Sequence, residues 1–573
     1  MKLKSFLEHR ICGISIAIAI LLQLALAFQG FDICDDGFAL TFFQQFYNHP
    51  ESVEYNFLYW FSGLIGGTWY KLYENGGILW FRLLAIITNT LTFYLAYRLL
   101  KDIITRPLLI AALFMVLFVN DFGYLSFYHN QLTAFMVVAI VTTLHRAIIS
   151  GRMAYYFFTG MLLSVNVFTR LPNAVLFILI LSIPYAYYLK KIPLVKSIKA
   201  MSVLLFGALA GICLVGFTLW QLEQLSIMKE ALLTLIDLGG TEGSSHNFMS
   251  VFKAPIDNYT SIALEGLKFA GILLFLFLIH SFLGTQNWVK YFIAGSSVLL
   301  FMFWFHTANI YPVYFLCLVA SFLVAVKSSV EMEIKIIGFI SLMVLITLTL
   351  GSAGGILSSG YMAIWIGLPL FFYVANSIKS KLSKSKRIQF DAVLLGLIVG
   401  FFVLKTYNIS QEAYFDKGSR FLKTYDINND NANGIYTTQR RAAIVNELLV
   451  NLEPYVDSGD YLLAYDKIPM LHFLTETKPY MYNPWVWIYD YNSFEKKLKK
   501  AEQSIPTLPI VVQQKFETIG TFSEPKNNYL STTGENSDYH SNERNFIFIS
   551  FLERHNYEIV WSNAYFNIYQ PKE

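Results

Sequence analysis

The sequence predicts a polytopic α-helical membrane protein with a small α/β domain at its C-terminal end, and three observations lead to this fold class. Of the 573 residues, 55% are hydrophobic and only 14% are charged, whereas a soluble globular chain carries about 25% charged residues. Apolar runs recur throughout residues 1–407. Residues 1–407 contain 27 Lys and Arg against 18 Asp and Glu, whereas residues 408–573 contain 16 Lys and Arg against 21 Asp and Glu. A net charge of only +4 also argues against a nucleic-acid partner.

A helix that crosses a bilayer needs about 20 mostly apolar residues. Segments that meet or approach this length predict about 13 transmembrane helices, at 11–28, 79–99, 107–119, 132–149, 154–169, 172–189, 201–220, 266–283, 291–305, 310–326, 336–350, 361–378 and 388–407. The apolar stretch 154–189 is divided because Arg170-Leu171-Pro172 interrupts it. Proline ends a helix and arginine avoids the bilayer centre, so we expect a hairpin of two helices there.

Basic residues predict the orientation of these spans. When the spans alternate, 20 of the 27 Lys and Arg residues of 1–407 fall on one side, and the positive-inside rule makes that side cytoplasmic. The N-terminus is then cytoplasmic and the C-terminal region external. Ala25-Leu26-Ala27 resembles a signal-peptide cleavage site, but the 18-residue apolar run before it exceeds the usual length of about 7 to 15, so an uncleaved first helix is expected.

Three external segments are long enough to carry function, namely loops 29–78 and 221–265 and the terminal residues 408–573. The change in composition predicts a domain boundary at 407, between a transmembrane domain and a C-terminal domain. In the latter, Tyr461–Tyr465 and Pro509–Gln513 resemble buried strands. Helical spacing follows at 493–504 and 543–555, and 557–569 has β-type alternation. These elements predict an α/β domain.

The first external loop begins with three carboxylates, Asp32, Asp35 and Asp36, directly after an apolar helix. Charges so close to hydrocarbon are costly and indicate function. Repulsion between neighbouring carboxylates raises a pKa, so that one of them can act as a base near neutral pH. The alternative is a solvated loop that only ends the helix. The aromatic segments 42–47 and 57–61 are typical of interfacial helices, so we expect a carboxylate at the membrane surface beside a lipid-like ligand.

The order of these features resembles the GT-C superfamily of membrane glycosyltransferases, which includes protein O-mannosyltransferases and the lipid A aminoarabinose transferase. The family's acidic pair after the first helix is matched by Asp35-Asp36, and its Thr-Lys-x-Pro-like element by Thr169-Arg170-Leu171-Pro172. Its second acidic residue, near the fourth helix, is replaced by Tyr128-His129-Asn130-Gln131, although Asp121 could substitute. The Trp-Trp-Asp signature of N-oligosaccharyltransferases is only loosely echoed by Trp485-Val-Trp487-Ile-Tyr-Asp490, for which we expect aromatic packing.

The resemblance implies a GT-C-like fold and transfer of a sugar from a polyprenyl-phosphate donor in one inverting displacement. Asp35 would accept the proton of the attacking hydroxyl, with Asp36 orienting it or serving as the base instead. Arg170 and Arg82 would contact the donor phosphate, with snorkelling or anchoring as the alternative for each. Further candidate substrate-binding residues, each with a structural alternative, are Asp121, His129, Tyr55, Trp60, His246 and His306. No cofactor is firmly implied, and a divalent metal is an open question.

Other readings of the sequence are an O-antigen polymerase or ligase, a lipid or solute transporter, and a non-catalytic scaffold. Loops 306–309 and 351–360 have no Lys or Arg, which argues against a polymerase. Transporters usually carry repeats and ionisable residues near the midplane. We expect a bacterial inner-membrane enzyme whose partners are a polyprenyl-phosphate-linked sugar, membrane lipid and an envelope acceptor (lipid A, polysaccharide or protein). The sequence specifies neither the sugar nor the acceptor.

Overall fold

The chain is mostly helical, with a sheet-containing region at its C-terminal end. The computed structural model describes residues 2–119, 126–240, 247–283, 286–307, 310–352, 354–520, 522–526, 529 and 541–572. Up to residue 411 its helices are α1 (Lys2–Leu26), α2 (Asp35–Gln45), α3 (Trp60–Leu72), α4 (Gly77–Leu100), α5 (Arg106–Val119), α6 (His129–Ser150), α7 (Met153–Thr169), α8 (Ser182–Leu189), α9 (Leu194–Gln221), α10 (Leu225–Gly240), α11 (Phe248–Leu283), α12 (Asn287–Thr307), α13 (Tyr311–Val326), α14 (Met332–Thr347), α15 (Gly355–Ser380) and α16 (Lys384–Gln411).

Eight helical segments among the described residues are long and apolar enough to cross a membrane. They are Glu74–Leu100, His129–Ser150, Leu171–Leu189, Val195–Gln221, Phe252–Leu283, Trp288–Thr307, Gly355–Ser380 and Lys384–Gln411. Shorter apolar helices lie at Arg10–Leu26, Arg106–Val119, Met153–Thr169 and Tyr311–Val326. Each of the thirteen predicted segments overlaps a described helical segment, so a multi-pass helical protein is confirmed, while thirteen crossings stays a prediction.

The break at Arg170-Leu171-Pro172 lies where the sequence predicts it. Helix α7 ends at Thr169, and Arg170 is extended, with φ −162° and ψ 119°. A 3-10 helix, Leu171–Leu181, then begins with proline in its first turn and leads into α8. Proline is tolerated there because the first turn of a helix does not need its amide. The chain reverses at this break, since the hydroxyl of Tyr187 in α8 lies 3.4 Å from that of Tyr156 near the start of α7.

The loop 29–78 forms short helices that lie against the C-terminal region. After α2 come a 3-10 segment, Pro50–Tyr59, and α3. Aromatic rings fill the contacts between them. The ring of Phe46 stacks on that of Phe57 at 5.6 Å, and Phe43 stacks on Phe81 of α4 at 5.4 Å. Stacked rings of this kind add to the free energy gained by burial, which explains why so aromatic a loop is ordered.

Beyond α16 the described chain forms two small hairpins and a five-stranded mixed sheet. The helices are α17 (Gln439–Leu452), α18 (Met470–Thr475), α19 (Tyr491–Ser504) and α20 (Ser541–Arg554), and the strands are β1 (Glu412–Ala413), β2 (Asp416–Lys417), β3 (Tyr425–Asp426), β4 (Tyr436–Thr437), β5 (Tyr461–Tyr465), β6 (Lys478–Pro479), β7 (Ile510–Gln514), β8 (Tyr557–Ser562) and β9 (Phe566–Pro571). The sheet order is β6-β5-β7-β9-β8. Strand β5 is parallel to β6 and β7, and β9 is antiparallel to β7 and β8. The strands and helices expected from the sequence are confirmed, and 557–569 is a hairpin.

The hydrophobic core of the C-terminal region is continuous with that of the loop 29–78. The ring of Phe38 on α2 meets Trp485 edge-on at 6.1 Å, and Tyr55 meets Tyr489 in the same way at 5.9 Å. Trp485 therefore packs behind α2, as expected for an aromatic contact. Helix α16 ends at Gln411, and a separate domain at 408–573 stays a prediction.

Candidate active site

Asp32 fixes the start of α2. Its Oδ1 accepts a hydrogen bond from the amide of Cys34 (2.8 Å), and its Oδ2 accepts one from the amide of Asp36 (3.0 Å). Cys34 is the residue that precedes the helix and Asp36 lies in its first turn, where amides have no partner within the helix. Burial and the nearby Asp36 and Asp35 raise the pKa of Asp32 well above its ordinary value. Asp32 is thus a capping residue that holds the next two carboxylates in place.

Asp35 and Asp36 point into different surroundings, because successive helical residues are turned by about 100°. Asp35 lines a cavity of about 500 Å³. Asp36 is not among the lining residues. It is 6% exposed, accepts a hydrogen bond from Ser126 Oγ (2.9 Å), and lies 3.9 Å from an Arg82 guanidinium nitrogen. The predicted pair therefore separates into one carboxylate facing open space and one enclosed in protein.

Arg82 lies beneath the loop and not on the cavity lining. Its guanidinium donates to the carbonyls of Ala27 (2.5 Å) and Gly30 (2.5 Å), and it is 2% exposed. These bonds tie α4 to the end of α1 and to the turn before Asp32. Of the two roles expected for Arg82, the geometry favours anchoring over contact with a donor phosphate.

The cavity brings together residues from distant parts of the chain. Its lining consists of Asp35, Tyr55, Leu58, Tyr59, Tyr128, His129, Asn130, Arg170, Leu171, Pro172, Ala174, Val175, Leu235, Phe248, Phe252, Gly351, Ser352, Gly354, Ser358 and Tyr414. Among these described residues, Asp35 is the single carboxylate and Arg170 the single Lys or Arg. The remaining lining is aromatic, apolar or neutral polar.

Several residues expected from the sequence meet at this cavity. The imidazole of His129 stacks on Tyr59 at 4.1 Å between centroids. Burial raises the pKa of Tyr59, and the positive charge of Arg170 opposes that rise. Asp35, Tyr55, His129 and Arg170 thus share one lining.

Other candidate residues lie elsewhere. Trp60 is buried away from the cavity, where its Nε1 donates to Gln224 Oε1 at 3.0 Å. His306 is exposed in the last turn of α12. Asp121 and His246 lie outside the described residues.

Tyr414 is a site residue that sequence reasoning missed. It lies in the two-residue turn between β1 and β2, which pair antiparallel, and its hydroxyl donates to Asp35 Oδ2. The next residue, Phe415, has a φ of +49°, a conformation that costs a bulky residue about 1 to 2 kcal/mol. No local pattern in the sequence indicates this contact, because 379 positions separate the two residues.

The surroundings of Asp35 would suit a base that works near neutral pH. Burial raises the pKa of its carboxyl from the ordinary value to about 6; the Tyr414 hydrogen bond opposes this rise and the charge of Asp36 adds to it. A base is most effective when its pKa lies near the working pH. Asp35 is therefore mostly ionised at pH 7 and remains basic enough to accept a proton.

A buried charged cluster fixes the β1–β2 hairpin to the acidic loop. Asp416 is fully buried and accepts hydrogen bonds from the Phe31 amide (2.9 Å), Thr437 Oγ1 (2.6 Å) and Lys423 Nζ (2.9 Å). Arg441 lies 3.4 Å from the same carboxylate and donates to the Phe31 carbonyl (2.7 Å). The C-terminal region thereby positions both Tyr414 and the chain that leads to Asp35.

Lysines of α19 hold one wall of the cavity. Lys500 lies 2.9 Å from Glu54 and 3.2 Å from Glu230, and Lys497 pairs with Glu54 as well. Glu230 belongs to α10, which also supplies Leu235 to the lining.

In the part of the chain that the structure describes, no group of three or more His, Cys, Asp or Glu side chains could hold a metal ion.

No family model matches the sequence, and no curated protein matches it. Among solved structures, the chain is similar to an oligosaccharyltransferase from Archaeoglobus fulgidus, crystallised with a tethered acceptor peptide that contains an NVT sequon. The two chains are 11% identical with a TM-score of 0.41, over 89% of this chain and 70% of the other. The likeness concerns the course of the chain and not its residues.

Proposed function

We propose that this protein is a membrane glycosyltransferase that uses a polyprenyl-phosphate-linked sugar, with Asp35 as its general base. One observation carries the proposal: a single carboxylate and a single guanidinium, those of Asp35 and Arg170, line one cavity in the described chain. A transfer from a phosphate leaving group needs both. The carboxylate removes a proton from the acceptor, and the cation stabilises the phosphate that departs.

The reaction is a single displacement at the anomeric carbon. Asp35 takes the proton of an acceptor hydroxyl as the hydroxyl oxygen forms a bond to that carbon. The bond between the carbon and the phosphate oxygen breaks, and its electron pair remains on the polyprenyl phosphate, next to Arg170. Because attack and departure occur on opposite faces of the sugar, the anomeric configuration inverts. Tyr414 keeps the Asp35 carboxylate oriented and favours its ionised form.

The lining matches the two chemical natures of such a donor. Ala174 and Val175 of the 3-10 helix, with Phe248 and Phe252 of α11, give an apolar wall at the start of membrane-crossing segments. An isoprenoid chain would lie against that wall. Neutral polar groups, which suit the hydroxyls of a sugar, stand elsewhere on the lining at His129, Asn130, Ser352 and Ser358.

We further propose that the cavity opens at the outer face of a bacterial inner membrane, with 408–573 as an external domain. The acceptor would then be an envelope molecule such as lipid A, a polysaccharide or a protein. The supporting evidence is the distribution of basic residues along the sequence, together with the position of the C-terminal region against the loop that carries Asp35.

The test is a mass-spectrometric profile of envelope glycolipids and glycoproteins from a deletion strain. The strain is complemented with wild type, with Asp35→Asn, or with Glu74→Gln as a control in an exposed carboxylate of the same external segment, and membrane levels are matched. We expect one sugar-sized mass to vanish in the deletion and to return with wild type and Glu74→Gln but not with Asp35→Asn. Full restoration by Asp35→Asn would overturn the proposal and favour a transport or scaffold role.

A further inference from the structure

Two large apolar side chains protrude from the chain shortly after α16. They belong to the 3-10 turn Arg420–Leu422, where Phe421 is 81% exposed and Leu422 is 65% exposed. The residues on either side of this pair, Arg420 and Lys423, are both buried. A single exposed apolar residue is ordinary, but a group of them marks an interaction surface, so the neighbourhood of the pair decides its meaning.

The turn is held firmly at both ends. Arg420 Nε donates to the carbonyl of Ile409 at 2.7 Å, and Gln29 Nε2 donates to the carbonyl of Arg420 at 2.9 Å. After the turn, Lys423 Nζ donates to the carbonyl of Asp416 (2.8 Å) and to its carboxylate (2.9 Å). Buried polar contacts therefore fix the backbone from which the two apolar side chains project.

The turn lies at the level where α16 leaves the membrane. The predicted span 388–407 has 20 residues, which extend about 30 Å as a helix. This length equals the thickness of the hydrocarbon core, about 30 Å. Ile409, which the turn contacts, is two residues, or about 3 Å, beyond that span. Phe421 and Leu422 are therefore next to the boundary between hydrocarbon and headgroups.

The turn also adjoins the face of α16 that is exposed to lipid. Exposed apolar side chains recur at every fourth residue along this face, at Leu395, Val399, Val403 and Tyr407. Residues three and four apart share a helix face, so Ser410 continues the same stripe. Its carbonyl lies 3.4 Å from Ser419 Oγ, two residues before Phe421. The stripe on the helix and the exposed pair thus meet.

Aromatic side chains lie beside the turn. Phe28 precedes Gln29, and its carbonyl accepts a hydrogen bond from the amide of Tyr436 at 2.7 Å. Tyr425 lies on β3, which pairs with the strand of Tyr436. These residues form one exposed patch with the end of the stripe and with the turn, namely Phe28, Tyr407, Phe421, Leu422, Tyr425 and Tyr436. Aromatic residues are enriched where a membrane meets water.

We propose that the exposed patch is a membrane-docking surface, with its tyrosines among the lipid headgroups and the side chains of Phe421 and Leu422 inserted among the lipid chains. The partner is the lipid surface itself, because the patch continues a lipid-facing stripe at the level of the bilayer. The inference does not depend on the proposed glycosyltransferase activity. Since Lys423 binds Asp416 of β2, docking also fixes the β1–β2 hairpin relative to the bilayer.

Photochemical cross-linking tests the proposal at single positions. The photoreactive p-benzoylphenylalanine replaces Phe421 in one protein and Ile559 in a matched control. Ile559 is 53% exposed on β8, four strand spacings, or about 19 Å, from β6, the strand that contacts the loop segment Pro50–Tyr59. Both full-length proteins are placed in vesicles of phosphatidylethanolamine and phosphatidylglycerol, and adducts are located by peptide mass spectrometry. We expect lipid adducts at position 421 and not at position 559.

Cysteine reactivity provides a second measurement that does not use the photoreactive group. Phe421→Cys and Ile559→Cys are treated in the same vesicles with a charged, membrane-impermeant maleimide. Each rate is divided by the rate of the same cysteine in denatured protein. We expect Phe421→Cys to react about tenfold more slowly than Ile559→Cys, because a thiolate forms poorly in apolar surroundings and the reagent stays in water. Elution of each variant at the wild-type position in gel filtration checks folding.

Three results would overturn the proposal. One is the absence of lipid adducts at position 421 in folded protein, or equal lipid adducts at both positions. Another is cross-linking of position 421 to a second copy of the chain, which would make the patch a protein interface. The third is equal reactivity of Phe421→Cys and Ile559→Cys, which would place the turn in water.

Discussion

Asp35 and Asp416 are both tied to the β1–β2 hairpin, yet their surroundings differ completely. Asp35 is the partner of Tyr414 in the turn of that hairpin, and Asp416 lies in β2, two residues after Tyr414. Asp35 faces a cavity and accepts one hydrogen bond from a neutral hydroxyl. Asp416 is fully buried and is surrounded by Lys423, Arg441, Thr437 and a backbone amide. The first carboxylate is left free to exchange a proton, whereas the second is fully committed to its neighbours.

The contrast shows how one short hairpin can serve both structure and chemistry. A buried carboxylate paired with cations holds its neighbourhood together, and removing it leaves those cations uncompensated. A carboxylate at the edge of a cavity, with less support, keeps an elevated pKa and the capacity to act as a base. Substitutions at the two carboxylates and at their neighbours test this difference.

Asp35→Asn should lower sugar transfer by about 10² to 10⁴, the usual contribution of a positioned general base. The fold should survive, since a neutral amide removes a charge that burial disfavours. Product formed per mole of folded protein, with thermal unfolding measured in parallel, checks both statements. A loss of activity that merely follows a loss of folded protein would contradict the assignment.

Asp416→Asn should instead destabilise the protein, by about 3 to 5 kcal/mol, because two buried cations would lose their counter-charge. Asp426→Asn, on an exposed residue of β3, should stay within about 0.5 kcal/mol. Denaturant unfolding of the purified proteins measures both. Equal stability of the two variants would mean that the cluster does not fix the hairpin.

Arg170→Gln should reduce transfer about 10- to 100-fold, since a hydrogen bond to a charged group contributes about 1.5 to 3 kcal/mol. Arg170→Lys should recover part of the rate, because it keeps the charge but loses the bidentate geometry. Arg152→Gln, at the exposed opposite end of α7, should leave the rate unchanged. The role of Arg170 would be refuted by a glutamine variant that transfers as fast as wild type.

Tyr414→Phe should change the pH dependence more than the maximal rate. The lost hydrogen bond favours ionised Asp35, so its removal raises the pKa and moves the acid limb of the profile to higher pH, by about one unit. Rates measured from pH 5 to about 8 test this. Tyr55→Phe, on the same lining, is the control and should leave the limb in place. A limb shifted to lower pH would contradict the argument.

Local patterns predicted much of this fold. The runs of apolar residues, the break at Arg170-Leu171-Pro172 and the strand Tyr461–Tyr465 depend on neighbouring residues, and the structure contains them. The sequence also indicated a site centred on the acidic loop, and Asp35 of that loop lines the cavity.

The separate roles of Asp35 and Asp36 were not predictable, since two adjacent carboxylates look alike until the helix directs one to the cavity and the other to Ser126 and Arg82. Tyr414 was missed for a related reason. It reaches Asp35, at the start of α2, only because the chain returns there after α16, and nothing next to it in the sequence marks it.

The role of Asp35 as the base is decided by the rate of sugar transfer against pH in isolated membranes. The rate is measured for wild type and Asp35→Asn, using the product mass found in the envelope profile. The group that must be ionised has a pKa of about 6, so the wild-type rate should rise through that pH and level off above it. Asp35→Asn should remain near the background rate at every pH. A variant that keeps both the wild-type rate and its rise near pH 6 would show that another group is the base.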